Sequence, residues 1–276
     1  MARETKSNGQ KDNLDRFYTT DEIVNKCLNL LNLTEYDCII EPSAGNGSFS
    51  HKINKCFAYD IEPASEDIIK QDWFKLDKNI FNQYKNILIV GNPPFGQQNT
   101  LAVSFFNESA KIAQTIAFIL PRSFKKDSVQ NRLSLDFILK KEIDLDDCIF
   151  LLKGEEQYNV PCIFQIWEKT NKPRNKKRLK TTTALFDFTI KDLADFRIQR
   201  VGGNAGKASK DLNFSAQSNY FIKNKSSYSI DELINIINKT VFPSINYTVG
   251  PKSLSKGELI ATLEEELIDD VNNKYI

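Results

Sequence analysis

Cys38-Ile39-Ile40-Glu41-Pro42-Ser43-Ala44-Gly45-Asn46-Gly47-Ser48-Phe49 is the stretch on which the fold turns. Four residues of strand character run into a proline and then a turn with two glycines two apart. Such glycines let the backbone approach a ligand closely, and a helix starting beyond them would point its first N–H groups into the same crevice. The next strand-like run, Cys56–Asp60, ends in an acid at the separation suited to a ribose diol, and Ile61 follows, placed to pack on a purine face. Asp72-Trp73-Phe74 then sets an acid beside two aromatics, able to accept from a nucleoside amine and cover its ring. Each of these acids alone is an ordinary turn residue. In this order, at strand ends, they point to an adenosyl ligand.

Working outward, short apolar runs alternate with amphipathic stretches through residue 168. Strands are expected at Cys38–Glu41, Cys56–Asp60, Asn86–Gly91, Thr115–Leu120, Cys148–Leu152 and Val160–Glu168. Helical periodicity is clearest at Asp21–Leu31 and Thr100–Ile112. Thr19 and Glu22 have capping-box spacing at the start of the first helix. Strands separated by helices imply a doubly wound, mostly parallel sheet. The last two strands are joined only by Lys153–Asn159, too short for a parallel crossover, so an antiparallel edge hairpin is expected.

Beyond the basic stretch the texture changes. Leu185–Ile190 and Phe196–Val201 alternate like strands, and Gly202–Gly206 forms a glycine-bearing loop. Two helices follow with capping-box pairs, Ser229 with Glu232 and Ser255 with Glu258; the second carries Leu259, Leu263 and Leu267 on one stripe. The expected organisation is therefore 1–168 as the ligand-binding domain, 169–180 as a basic linker, and 181–276 as a small mixed region that contacts substrate or serves as an accessory.

The totals fit a soluble globular chain: 276 residues, 41% hydrophobic and 26% charged. No apolar run approaches the roughly 20 residues that span a bilayer, and Met1–Arg16 is polar and mixed in charge, so an intracellular, cytoplasmic protein is expected. The five cysteines are scattered without metal-ligand spacing and read as reduced core thiols. His51, the only histidine, can form neither a triad nor a metal cluster, so no metal is expected. Net charge is +1, but Lys169–Lys180 holds seven basic residues and no acid, and Glu258–Asp270 six acids and no base. Charge runs of this kind are most simply a solvated linker and a helix face.

Gly91-Asn92-Pro93-Pro94-Phe95-Gly96 follows the apolar strand ending at Val90. A strand-stop loop accounts for the two prolines, which cannot continue a sheet. It accounts neither for the amide before them nor for the aromatic after. Methylation of an amine accounts for all four. Adenine's exocyclic nitrogen is a poor nucleophile because its lone pair is delocalised into the ring. The Asn92 side-chain oxygen and the Pro93 carbonyl can accept its two hydrogens and free the lone pair. Consecutive prolines hold the carbonyl in place at little entropic cost. Phe95 offers a face for an extruded base.

Here the chain resembles the amino-group (N6-adenine) methyltransferases of the class I S-adenosylmethionine-dependent fold, over roughly residues 17–168. The resemblance implies a Rossmann-like α/β sheet and S-adenosyl-L-methionine as cofactor. Phe17-Tyr18-Thr19-Thr20 resembles the motif that holds the cofactor's methionine end, which gives Tyr18 and Thr19 that role. Glu41–Phe49 is similar to the glycine loop, giving Glu41, Ala44, Gly45, Gly47 and Phe49. Asp60 with Ile61, and Asp72 with Trp73 or Phe74, are similar to the ribose and adenine contacts. Asn92–Phe95 is similar to the catalytic motif, with Asn92 also beside the cofactor. Phe118-Ile119-Leu120-Pro121 fits the strand that follows. In relatives acting on DNA a hairpin aromatic stacks on the flipped base, and Tyr158 is the nearest counterpart. Such relatives carry a large recognition domain, whereas fewer than 110 residues follow the sheet here.

The expected partner is nucleic acid, DNA slightly ahead of RNA. Arg197 and Arg200, with Lys207, flank Gly202–Gly206 and are candidates for backbone phosphates. Glutamine-amide methylation in a protein would use the same turn, though usually with tyrosine at the Phe95 position. A silent nucleic-acid-binding subunit would not need intact motifs. Pro161-Cys162 lies on an expected strand without companion features, so Cys162 is read as core rather than as a ring-attacking nucleophile.

Overall fold

The computed structural model describes residues 18–145, 149–151 and 157–273. Phe17, Cys148 and most of the Lys153–Asn159 connection lie outside the described residues, as do the side chains of Tyr18 and Tyr158. In chain order the elements are β1 (Tyr18–Thr19), α1 (Asp21–Leu28), β2 (Cys38–Glu41), β3 (Cys56–Asp60), β4 (Ile69–Lys70), β5 (Ile87–Gly91), α2 (Thr100–Ser109) and β6 (Thr115–Pro121). They continue as α3 (Asp127–Gln130), β7 (Phe137–Leu145), β8 (Ile149–Leu151), β9 (Gln157–Asn159), β10 (Cys162–Lys169) and β11 (Phe186–Thr189). Last come β12 (Phe196–Gln199), β13 (Ala208–Ser209), β14 (Asn219–Asn224), α4 (Ile230–Lys239) and α5 (Lys256–Asn273). Two compact units divide the chain: Met1–Pro121 with Arg132–Asn175, and Arg122–Asn131 with Lys176–Ile276.

The first unit is built on a sheet ordered β4-β3-β2-β5-β6-β10-β7. Every pairing from β4 to β6 is parallel, and β10 runs antiparallel to both β6 and β7. β2, β5 and β6 are buried along their whole length, as expected of strands covered on both faces. On one face Ile23, Val24 and Cys27 of α1 pack with Ile39, Leu88, Val90, Ala117 and Phe164. On the other, Phe106 of α2 meets Trp167 edge-on at 5.5 Å and Phe137 at 5.8 Å. Each such full burial contributes on the order of 1.5–3 kcal/mol. The doubly wound, mostly parallel sheet with an antiparallel pair at its edge is therefore present.

The pair at that edge is not the expected one. β10 pairs with β7, a strand absent from the sequence reading, while the segment expected to pair with β10 is β8 and belongs to a small sheet ordered β1-β8-β9. Phe137-Ile-Leu-Lys-Lys-Glu-Ile-Asp-Leu145 carries lysines and acids on exposed positions, which suits an edge strand and hides its periodicity. The Thr19–Glu22 capping box does not form either. Thr20, not Thr19, is the N-cap of α1 and makes no side-chain cap bond, while Thr19 is paired in β1. Nor does a helix follow the glycine loop: only a three-residue 3-10 turn, Ser50–Lys52, fits before β3 starts at Cys56.

The second unit has its own antiparallel sheet, β11-β14-β12-β13. Phe186, Phe196, Ile198 and Ile222 form its core with Leu233 and Ile237 of α4 and Leu259 and Leu263 of α5. Both expected capping pairs are made. Ser229 accepts from the Glu232 N–H and its own N–H donates to Glu232, and Ser255 with Glu258 does the same. Among the described residues no helix is long and apolar enough to cross a membrane.

Candidate active site

From β2 the chain winds outward through β3 and β4, then returns to place β5 on the other side of β2. That reversal opens a crevice beyond the carboxyl ends of β2 and β5, where ligands of open α/β sheets bind. The glycine loop leaves the end of β2 and Asn92 leaves the end of β5. Both motifs therefore line one cavity of about 280 Å³.

Of the residues expected to bind cofactor, Thr19, Glu41, Ala44, Gly45, Phe49, Asp60, Ile61, Asp72, Trp73 and Asn92 line it, together with Pro93, Pro94 and Phe95. Gly47 stands behind the wall. Its φ is +85°, and a Cβ there would lie 2.4 Å from the His51 ring, so only glycine fits. His51 holds its own place through a 2.9 Å contact with Asp67. Of Tyr18 the backbone is described, paired with Leu151.

Besides the ribose contact expected of it, Asp60 has a role within the fold. Its two oxygens accept from the Gly45 N–H and the Glu62 N–H, each at 2.8 Å, so the acid at the end of β3 braces the loop after β2. Glu41 is 2% exposed and accepts from the Ser50 N–H at 2.8 Å. Burial pushes its carboxyl up to about 8, against the opposing pull of backbone donors at Ser50 and Phe49. Asp72 accepts from the Phe74 N–H at 2.9 Å.

Trp73 is buried, so the ring that faces outward here is Phe74, stacked edge-on against Phe105 at 4.8 Å. Lys78 anchors this turn: it lies 4.1 Å from the Trp73 ring centroid, bonds the Trp73 and Leu76 carbonyls, and pairs with Glu108 of α2 at 3.2 Å. Leu101 and Phe105 of α2 complete the wall. The sequence reading missed both, although their i,i+4 spacing at the start of the helix after Phe95 puts them on one face. Ile61, Phe74 and Leu101 are large apolar side chains left 54%, 42% and 41% exposed at this one cavity.

Asn92 donates from Nδ2 to the Thr19 hydroxyl at 3.2 Å, and its amide oxygen is shielded from solvent. Tyr158 stands on β9 opposite Phe150 of β8, which is itself opposite Thr19, so the three share one register row.

Arg197 and Arg200 belong to the second unit. The phosphate role expected of Arg197 gives way to an internal one. It is 8% exposed, donates to the Asp211 carbonyl and the Asn219 side chain at 2.8 Å, and lies 3.5 Å from the Phe214 ring centroid. Arg200 lies over Tyr220, and Lys207 donates to the Asn238 carbonyl. Cys162 is fully buried in β10. Cys27, Cys38, Cys56 and Cys162 form no disulfide. No group of three His, Cys, Asp or Glu suited to a metal occurs among the described residues.

The cavity's chemistry fits an adenosyl sulfonium. Glu41, Asp60, Glu62 and Asp72 line it, and no lysine, arginine or histidine does. Asp60, Glu62 and Asp72 make the lining acidic, with Lys75 outside it 3.6 Å from Asp72, while burial keeps Glu41 protonated up to about pH 8; a lining without a basic side chain suits a positively charged ligand and opposes a nucleoside phosphate. Ser43 and Trp73, also in the wall, each hold a buried polar atom without a hydrogen-bond partner among the described residues, Ser43 Oγ and Trp73 Nε1. Groups of this kind ask for a ligand or water to satisfy them.

No protein-family profile matches the chain. No curated protein matches it either. Among solved structures it is similar to a proposed RNA methyltransferase from Pyrococcus horikoshii, at 12% identity and a TM-score of 0.45, over 57% of this chain and 88% of that one. It is also similar to the 23S rRNA methyltransferase ErmE, at 13% identity and a TM-score of 0.40, over 59% and 73%. A third is the magnesium protoporphyrin IX methyltransferase of Synechocystis PCC 6803 with bound SAM, at 11% identity and a TM-score of 0.36, over 54% and 77%.

Proposed function

We propose that the chain transfers a methyl group from S-adenosyl-L-methionine to the N6 amino group of adenine in nucleic acid, with DNA ahead of RNA. One observation carries the reading. A single cavity lined by four acids and no base also holds Asn92, Pro93, Pro94 and Phe95. Bound there, the cofactor supplies an electrophilic methyl group on a cationic sulfur.

The residues divide the remaining work. Asp60 holds the glycine loop and still has acceptor capacity for a ribose diol, since each carboxylate oxygen has two lone pairs. Asp72 accepts from an adenine amine, while Ile61 and Phe74 offer the two apolar faces between which that ring fits. Asn92 Oδ1 and the Pro93 carbonyl accept the hydrogens of the target amine. Both stay fixed while charge develops on nitrogen, so their stabilisation costs no reorganisation in the transition state. Phe95 stacks on the extruded base, a contact worth roughly 1–3 kcal/mol. As the new N–C bond forms, the amine becomes acidic and its proton leaves to water, so no strong base is required of the chain. Extrusion from a duplex costs a few kcal/mol and is least for single-stranded adenines.

The test is methyl transfer from labelled cofactor to duplex DNA, single-stranded DNA, structured RNA and protein, read by mass spectrometry of nucleosides and peptides. N6-methyladenosine or its deoxy form is expected. Label only in RNA would reverse the DNA-first ordering. Label only in protein glutamine would replace the substrate, and no cofactor binding by calorimetry would end the reading.

A further inference from the structure

We propose that Lys78 and Glu108 form a clasp that sets the width of the purine slot, so that the pair governs affinity for the adenosyl end of the cofactor. The inference rests on the methyl-transfer reading above and adds two positioning residues to it. One wall of the slot is a closed turn. The Asp72 carbonyl accepts from the Lys75 and Leu76 N–H groups at 3.1 Å, so Asp72, Trp73 and Phe74 move together. The other wall is α2, which presents Leu101 and Phe105. At the cavity the two walls meet through the Phe74 and Phe105 rings, edge-on at 4.8 Å. Phe74 and Leu101 stay exposed there, so this rim buries too little to fix its own spacing.

The clasp lies behind the rim. Glu108 follows Phe105 by three residues, on the same side of α2. Lys78 has three ammonium protons and three acceptors: the Trp73 carbonyl, the Leu76 carbonyl at 3.1 Å and Glu108 at 3.2 Å. One side chain thus grips the turn at two carbonyls and holds α2 through a carboxylate. Its charge also lies 4.1 Å from the Trp73 ring centroid. The two side chains are 11% and 14% exposed, so solvent screens the pair weakly. Against its own burial, bonds from Lys111 and Lys78 hold the Glu108 carboxyl below the ordinary glutamate range. Both ends stand on packed rings. Phe81, three residues past Lys78, is buried against Phe57 at 5.8 Å, and Phe106 of α2 against Trp167 at 5.5 Å. Release of the clasp therefore frees the turn and leaves the sheet intact. Binding must then order Phe74 and its neighbours, and affinity falls by that cost. Asn92–Phe95 leave the end of another strand, so the target amine is held as before.

Lys78→Met keeps the stem and removes the charge. Glu108→Gln keeps the shape, leaves both carbonyl bonds of Lys78 in place and weakens the tie to α2. Calorimetry on the full-length protein should show S-adenosyl-L-methionine and S-adenosyl-L-homocysteine each bound about tenfold more weakly by Lys78→Met, the cost of ordering one or two side chains. Glu108→Gln should lose about threefold for both ligands, as a charge-assisted bond becomes a neutral one. The double variant should bind no more weakly than Lys78→Met, since the two residues act as one unit. At saturating cofactor kcat should stay within about twofold, while the KM for cofactor rises. In a Trp167→Phe background, which leaves Trp73 as the single tryptophan, acrylamide should quench its fluorescence more readily in Lys78→Met.

Unchanged affinity in both variants, losses that add in the double variant, or a fall in kcat without a rise in KM would each overturn the proposal. So would a loss in Lys78→Met alone, because Lys78 would then hold the turn without α2. If Lys78→Met does not fold, Glu108→Gln decides by the same affinity and KM comparisons. A wild type that binds both ligands and methylates nothing would end the function reading by itself, with the affinity comparison still deciding the clasp. A wild type that binds neither ligand would end both.

Discussion

Replacing Glu41 by glutamine tests the electrostatics of the cavity wall without changing its shape. Glutamine keeps an oxygen to accept from the Ser50 N–H, as Glu41 does at 2.8 Å, and removes only the titration. In the folded chain burial holds the Glu41 proton until about pH 8, whereas the unfolded chain loses it near the ordinary value of 4.5. Between those values the native state binds more protons than the unfolded one, so stability falls as pH rises through the interval and levels off above 8. The interval is roughly 3.5 pH units wide, and at ~1.36 kcal/mol per unit ionising the buried acid costs ~5 kcal/mol, of which about 4 is lost between pH 5 and pH 9. Glu41 is buried, so solvent screening takes little from this figure. For a unit of this size 1 kcal/mol moves Tm by about 2–4 °C, so the Glu41→Gln variant should gain ~8–16 °C on the wild type between pH 5 and pH 9. Calorimetric melting of both proteins across that range, without cofactor, measures it. A difference in Tm that stays flat with pH would refute the argument and show Glu41 ionised in the fold.

Four further outcomes follow from the contacts described above. Asn92→Ala should lower kcat by about 10²–10³, the cost of losing one acceptor at a developing charge, with cofactor affinity little changed. Asp60→Ala should act in the opposite sense, weakening cofactor binding first, because it removes both a diol acceptor and the partner of the Gly45 and Glu62 N–H groups; calorimetric titration separates the two variants. Gly47→Ala sets a methyl group against the His51 ring at a positive φ, so its Tm should fall, and a Gly47→Ala, His51→Ala double variant should recover only part of the loss because the strained φ remains. Arg197→Ala should destabilise the second unit by about 2–3 kcal/mol in urea melts by leaving the Asn219 side chain and the Asp211 carbonyl unmet. Nucleic-acid affinity that fell in Arg197→Ala with no change in stability would restore the phosphate role to that arginine.

The layout of this cavity wall was legible because it is local. Strand, glycine loop, strand ending in Asp60, and the Asp72 turn follow one another along the chain, and each sits next to the strand end that positions it. Asn92–Phe95 was legible for the same reason, since prolines and an amide after an apolar strand have few other uses. The strand β7 was not, because an edge strand with one solvated face has no apolar run to show. Its absence from the reading moved β8 into the wrong sheet.

Sequence by itself determined the parallel strands β2, β3, β5 and β6, the cavity's two motifs and the capped helices α4 and α5, all set by short-range periodicity and turn chemistry. Tertiary structure alone decided three things that depend on groups far apart in the chain. Asp60 braces the loop of another strand, Thr19 takes the amide of Asn92 instead of capping α1, and Arg197 turns inward under Phe214. In each case a side chain had two chemically equal uses. The choice fell to whichever partner the fold brought within hydrogen-bond reach, which no local pattern records.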